Sequence, residues 1–177
     1  MNNTANILRL LIIFAIATVV QVLILDNIEI LPLCNPFVYL IFLLSFPFGT
    51  RTTTLMFAGL VAGLAIDISS NTPGMHAAAC IFACYLRRFM LTAISFRTAY
   101  KEDDMPSLSS YGTVWYAKYA TMFVVAHHIV LFFVEQFDTL YLLPTLLRIV
   151  VSSVASVLLI LLFGSLLPAT HDVGRQD

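Results

Sequence analysis

Charge is what this chain has least of. Only 11% of its 177 residues are Asp, Glu, Lys or Arg, against about 25% in an ordinary soluble domain. So thin a charge supply cannot solvate the surface of a water-soluble globule. With a formal net charge of -1 there is also no broad basic face for nucleic acid. Cysteine is scarce too, and Cys34, Cys80 and Cys84 make no disulfide framework. Cys80 and Cys84 lie one helical turn apart in an apolar run and read as small buried residues, not as a redox pair. Catalytic signatures are missing as well. There is no nucleophile elbow, no phosphate-cradling glycine loop and no His-Glu-x-x-His zinc helix. The expectation is a protein with no catalytic residue, no cofactor and no metal.

What the chain does have is apolar length. It is 60% hydrophobic, with a mean hydropathy of +0.93, the composition of an all-α polytopic membrane protein with almost no extramembrane domain. Six apolar runs predict a single integral membrane domain over 1–177, a bundle of about six transmembrane helices at about 7–25, 32–48, 53–68, 75–94, 116–137 and 142–167. The first run is too long for a signal-peptide core and no small-residue cleavage site follows it, so it reads as a span. The second is the weakest, short between Pro36 and Pro47. In the fourth, Arg87-Arg88 ends the apolar run early, and Phe89 to Ile94 either continues the helix or lies along the interface. Pro144 falls in the first turn of the sixth, where proline is tolerated. The segment 96–115, with Lys101-Glu102-Asp103-Asp104, is the only sizeable polar connection.

Six crossings sort the charges by side. Arg9, Arg51, Arg87, Arg88, Arg97, Lys101, Lys118 and Arg175 fall on one face, and Arg148 alone falls on the other with Asp26, Glu29, Asp67, Glu135 and Asp138. The positive-inside rule then makes both termini cytoplasmic and the outer face acidic. Asn2-Asn3-Thr4 matches a glycosylation sequon but lies at a terminus read as cytoplasmic, and is discounted.

The chain is organised around 59–79, GLVAGLAIDISSNTPGMHAAA. Gly59 and Gly63 give a Gly-x-x-x-Gly spacing that lets another helix approach closely. Packing inside the same bundle is favoured over dimerisation, with a homodimer left open. Asp67 is a lone carboxylate at the end of an apolar helix, and such a charge needs a partner, water or a role. Beyond the Pro73-Gly74 turn, His76 heads the next helix, placed to bond free backbone groups or to meet Asp67 across the hairpin. Arg148 lies one turn past Pro144 in an apolar helix and calls for a carboxylate. Asp67 is the preferred partner, ahead of Glu135 and Asp138, with snorkelling to the headgroups as the alternative. His127 and His128 lie mid-helix about 100° apart. They read as polar packing or cavity lining, not as metal ligands to one ion or a proton relay.

Leu25-Asp26-Asn27, Asn35-Pro36-Phe37-Val38-Tyr39-Leu40, Pro47-Phe48-Gly49, and Gly-Leu-x-x-x-Asp before Pro-Gly-Met-His-Ala resemble the bacterial rod shape-determining protein MreD family. The resemblance runs from about Leu25 to Ala79; the latter half matches in hydropathy only. It implies a non-catalytic component of the inner (cytoplasmic) membrane in the cell-elongation machinery, the elongasome. Such a protein regulates cell shape and lateral peptidoglycan synthesis as a scaffold. The implied partners are an MreC-like bitopic shape protein and, through it, an MreB-like filament and peptidoglycan synthases, within membrane lipid. The implied fold resembles the substrate-binding subunit of energy-coupling-factor vitamin transporters. That likeness supplies the alternative function, a small-molecule (vitamin) binding subunit of a membrane transporter. Candidate partner-coupling positions are the outer hairpin with Pro73, Gly74 and His76, and the helix face carrying Gly59 and Gly63.

Overall fold

Apolar stretches with no proline beyond the first turn become long helices here. The computed structural model describes residues 3–27, 34–94, 100–136 and 142–167. It gives α1 (Asn3–Leu23) with a 3-10 turn at Leu25–Asn27, a short α2 (Leu40–Leu44), α3 (Thr52–Ser70), α4 (Met75–Ile94), a one-turn α5 (Leu108–Tyr111), α6 (Thr113–Glu135) and α7 (Leu142–Leu166). Among the described residues, α1 with its 3-10 turn, α3, α4, α6 and α7 are long and apolar enough to cross a membrane. The chain is a multi-pass helical membrane protein. Helix α4 runs the full length expected of it, so Arg87-Arg88 does not end it. Position 137, the expected end of the fifth span, lies outside the described residues.

The second expected helix, 32–48, is corrected by the structure. Positions 32 and 33 lie outside the described residues, and from 34 to 48 the chain is α-helical only over Leu40–Leu44. Proline explains the limits. Pro36 biases Asn35 away from helical geometry, and Pro47 cannot continue a helix begun at Leu40. Every residue from 36 to 45 is buried, although only half of them are helical, so this is the longest unbroken buried run among the described residues.

Helix α3 packs on α4, α4 on α6 and α6 on α7, with α1 against α2 and α3. The two glycines of α3 explain the first contact. A Cβ at Gly63 would lie 2.3 Å from Ala77 Cα, and one at Gly59 would lie 2.9 Å from Cys84 Sγ. The helix that approaches the Gly-x-x-x-Gly face is therefore α4 of the same chain, and Ala77, Cys80 and Cys84 are the small residues that let it. Helix α3 ends with Asn71 in the left-handed region, at φ 55°, a conformation asparagine tolerates better than most residues.

Candidate functional site

Non-helical backbone inside an apolar bundle is tolerated only where its N–H and C=O groups find partners within the protein. The non-helical stretch 34–39 meets that condition through side chains of α1 and α7. Gln21 Oε1 accepts from Val38 N at 2.8 Å, and Gln21 Nε2 donates to Pro36 O at 3.2 Å. One amide thus brackets the chain as a neighbouring strand would. Ser152 Oγ accepts from Asn35 N at 2.9 Å, and Ser156 Oγ accepts from Phe37 N at 2.8 Å. Gln21 Nε2 also donates to Asp26 Oδ1 at 2.7 Å, and Ser70 Oγ donates to Asp26 Oδ2, which ties the ends of α1 and α3 together.

At the other end of the segment a cation takes over. The guanidinium of Arg87, only 3% exposed, donates to the carbonyls of Phe46 and Pro47 and to the hydroxyl of Tyr119. Those carbonyls lie just past the end of α2, where the backbone is no longer helical and needs partners from elsewhere in the protein. Beyond them, Phe48 N and Gly49 N donate to Asp104 O and Glu102 O. Residues 34–48 therefore run the length of the bundle, from the α1 and α3 ends down to the 100–104 loop.

A histidine–tyrosine cluster lies midway. Tyr39 Oη is 2.8 Å from His127 Nε2, 3.2 Å from His76 Nδ1 and 3.4 Å from Cys80 Sγ. A hydroxyl has one proton to give, so it donates once and accepts from a second neighbour. The junction joins the central segment to α4 and α6 at one atom. His128 lies on a different face, with Nδ1 2.7 Å from Val124 O and Nε2 3.3 Å from Ser156 Oγ. Phe37 stands edge-on to the rings of both His76 and His127. His127 Nδ1 has no partner among the described residues. Among those residues no three His, Cys, Asp or Glu side chains converge to hold a metal ion.

Asp67 does something other than pair with Arg148. Its Oδ1 accepts from His76 N and from Thr72 Oγ1, at 3.0 and 2.8 Å, and its Oδ2 accepts from Ala77 N at 3.0 Å. It caps α4 from across the hairpin, supplying negative charge where the unpaired N–H groups of a helix start need it. Both oxygens are occupied, and the expected Asp67–Arg148 pair is not formed. Arg148 Nη1 instead meets Glu135 Oε1 at 2.9 Å, at the end of α6, the helix on which α7 packs. Its guanidinium also lies 4.4 Å from the Phe132 ring centre and, with the Asn35 amide oriented to satisfy both its atoms, takes the Asn35 carbonyl.

The same cap limits what the α3–α4 hairpin leaves exposed. The backbone donors of His76 and Ala77 are used internally, and the His76 ring is buried. Asn71 and Pro73 are the residues of this turn that stand exposed. The positions that sequence reasoning passed over are Gln21, Tyr39, Ser152, Ser156 and the inward turn of Arg87. Their signal was present: an amide late in an otherwise apolar run, and Ser-Ser-x-x-Ser in another, where a polar side chain needs a partner.

The fold and this polar interior define a helical membrane protein with a non-helical segment buried at its centre. No family model matches the chain, and no curated protein or solved structure is similar enough to count as a match.

Proposed function

We propose that this protein is a non-catalytic scaffold of the bacterial elongation machinery, similar to MreD, that works by holding an MreC-like partner in the inner membrane. The observation that carries the reading is where the resemblance falls. The MreD-like residues from Leu25 to Ala79 are the ones that build the buried segment 34–48 and the Asp67-capped hairpin. Within that stretch Asp67, His76 and Tyr39 are each hydrogen-bonded to other parts of the chain, as structural members are. In this reading the segment 34–48 is a sixth crossing, both termini are cytoplasmic, and the α3–α4 turn faces outward, in keeping with the charge distribution. An energy-coupling-type fold goes with the same reading.

Depletion in a rod-shaped bacterium that carries this gene should round the cells, and a tagged copy should co-purify with the MreC-like protein from detergent extracts. Normal shape after deletion, together with lost uptake of one vitamin, would replace the scaffold with a transporter subunit.

A further inference from the structure

At the end of the bundle away from the Asp67 cap, the start of α3, the end of α4 and the 100–102 loop border an open cleft of about 700 Å³. Arg51, Arg87 and Arg88 line it, with Glu102 as its one carboxylate, and the hydroxyls of Thr50, Thr52 and Thr53 stand at the helix start. Arg51 and Arg88 are exposed, and their guanidinium groups make no hydrogen bond or ion pair among the described residues. Arg87 is nearly wholly buried, and its partners are neutral oxygens of Phe46, Pro47 and Tyr119. Buried with no counter-ion among the described residues, Arg87 keeps a positive charge that the protein around it screens poorly. Helix α3 adds to the field, since it begins with no side-chain cap and no acid in its first turn. Leu55, Cys84 and Leu91 form an apolar wall.

We propose that this cleft binds a phosphate-bearing anion: the headgroup of an anionic phospholipid, or a free phosphate. Two free guanidinium groups, Arg51 and Arg88, beside hydroxyls at a helix start, with the buried charge of Arg87 behind them, are a donor set that phosphate oxygens take. The apolar wall suits the glycerol and first acyl carbons of a lipid. This inference does not rest on the scaffold reading.

The chain carries its own reporter. Its single tryptophan, Trp115, donates to Tyr100 Oη at 3.0 Å, and Tyr100 stacks on Phe48 with ring centres 4.4 Å apart, both rings lining the cleft. The full chain, purified in a neutral detergent, is titrated with dioctanoyl phosphatidylglycerol, dioctanoyl phosphatidylcholine and inorganic phosphate, reading tryptophan fluorescence and melting temperature. Saturable binding of phosphatidylglycerol or phosphate is expected. The double variant Arg51→Gln/Arg88→Gln should weaken it at least about tenfold, the loss expected for two charge-assisted contacts. Lys118→Gln, an exposed cation of α6 that does not line the cleft, should leave it unchanged. Saturation at lower concentration by the lipid assigns a headgroup, and by phosphate a soluble ligand. No saturable response to either anion overturns the proposal. So does a response that phosphatidylcholine matches, or one that the double variant keeps or Lys118→Gln equally loses.

Discussion

The carboxylate of Asp67 spans its own hairpin to cap Ala77, with Oδ2 3.0 Å from the backbone nitrogen. Alanine at position 67 leaves the amides of His76 and Ala77 without acceptors at a buried helix start. Loss of a cap costs about 0.5–2 kcal/mol, and orphaned buried donors push the cost to the upper part of that range. Asp67→Ala should lower the melting temperature in detergent more than Asp67→Asn, which keeps one acceptor. An equal effect of the two would mean that the cap carries no weight.

Charge coupling should follow the contacts. A double-mutant cycle on Glu135→Gln and Arg148→Gln should show a coupling of about 0.2–1 kcal/mol, typical of a half-exposed pair. The same cycle on Asp67→Asn and Arg148→Gln should be additive. Coupling in the second cycle and none in the first would restore the pairing that the sequence alone suggested.

The two glycines of α3 should respond unequally. Gly63→Ala places a methyl 2.3 Å from Ala77 Cα, which only a backbone shift relieves, whereas at Gly59 the nearest atom is Cys84 Sγ at 2.9 Å. Overpacking of this kind costs about 1–3 kcal/mol. Gly63→Ala should therefore destabilise more, and Cys84→Ala should rescue Gly59→Ala but not Gly63→Ala. Melting of the purified variants decides it, and rescue of both by Cys84→Ala would refute the geometry.

The five long helices were legible because a spanning helix satisfies its own backbone, so length and hydropathy describe it fully. Helix α4 shows both sides of this: its start at Met75 was readable, whereas its run to Ile94 was left open because Arg87, which turns into the protein, reads in the sequence as a stop. The segment 34–48 was not legible as it is. Its backbone partners are Gln21 and, more than a hundred residues on, Ser152 and Ser156, and no local pattern records a bond of that range. Arg148 misled for a related reason. Its isolation along the sequence is ended by Glu135, brought near by the α6–α7 packing.

Gln21 should prove the most sensitive polar side chain of α1. Gln21→Leu preserves size but strips partners from Val38 N and Pro36 O, each a buried backbone group whose abandonment costs about 1–3 kcal/mol. Ile16→Gln, at an exposed position of the same helix, serves as the comparison for a change of polarity alone. A markedly lower melting temperature is expected for Gln21→Leu. An unchanged one would show that 34–39 is not held by this amide.

Topology can be read chemically. The endogenous cysteines are buried, so single cysteines introduced at Asn71 and Ser107 report sidedness against a quiet background. Asn71→Cys should react with an impermeant maleimide from the periplasm and Ser107→Cys only after the membrane is opened. Labelling of Ser107→Cys from outside would invert the proposed orientation.

The hydrogen bonds from Asn35 to Ser152 and from Phe37 to Ser156 also fix an order of events during synthesis. Helices that satisfy their own backbone can enter the bilayer one at a time as the ribosome delivers them. The stretch 34–39 cannot, because the acceptors of Asn35 N and Phe37 N lie on α7, made more than a hundred residues later. Until α7 arrives, those amides must stay hydrated or lean on Gln21 alone. The interior of this protein thus closes from both ends of the chain at once, and a nascent chain halted after α6 would be threaded but unfinished at its centre.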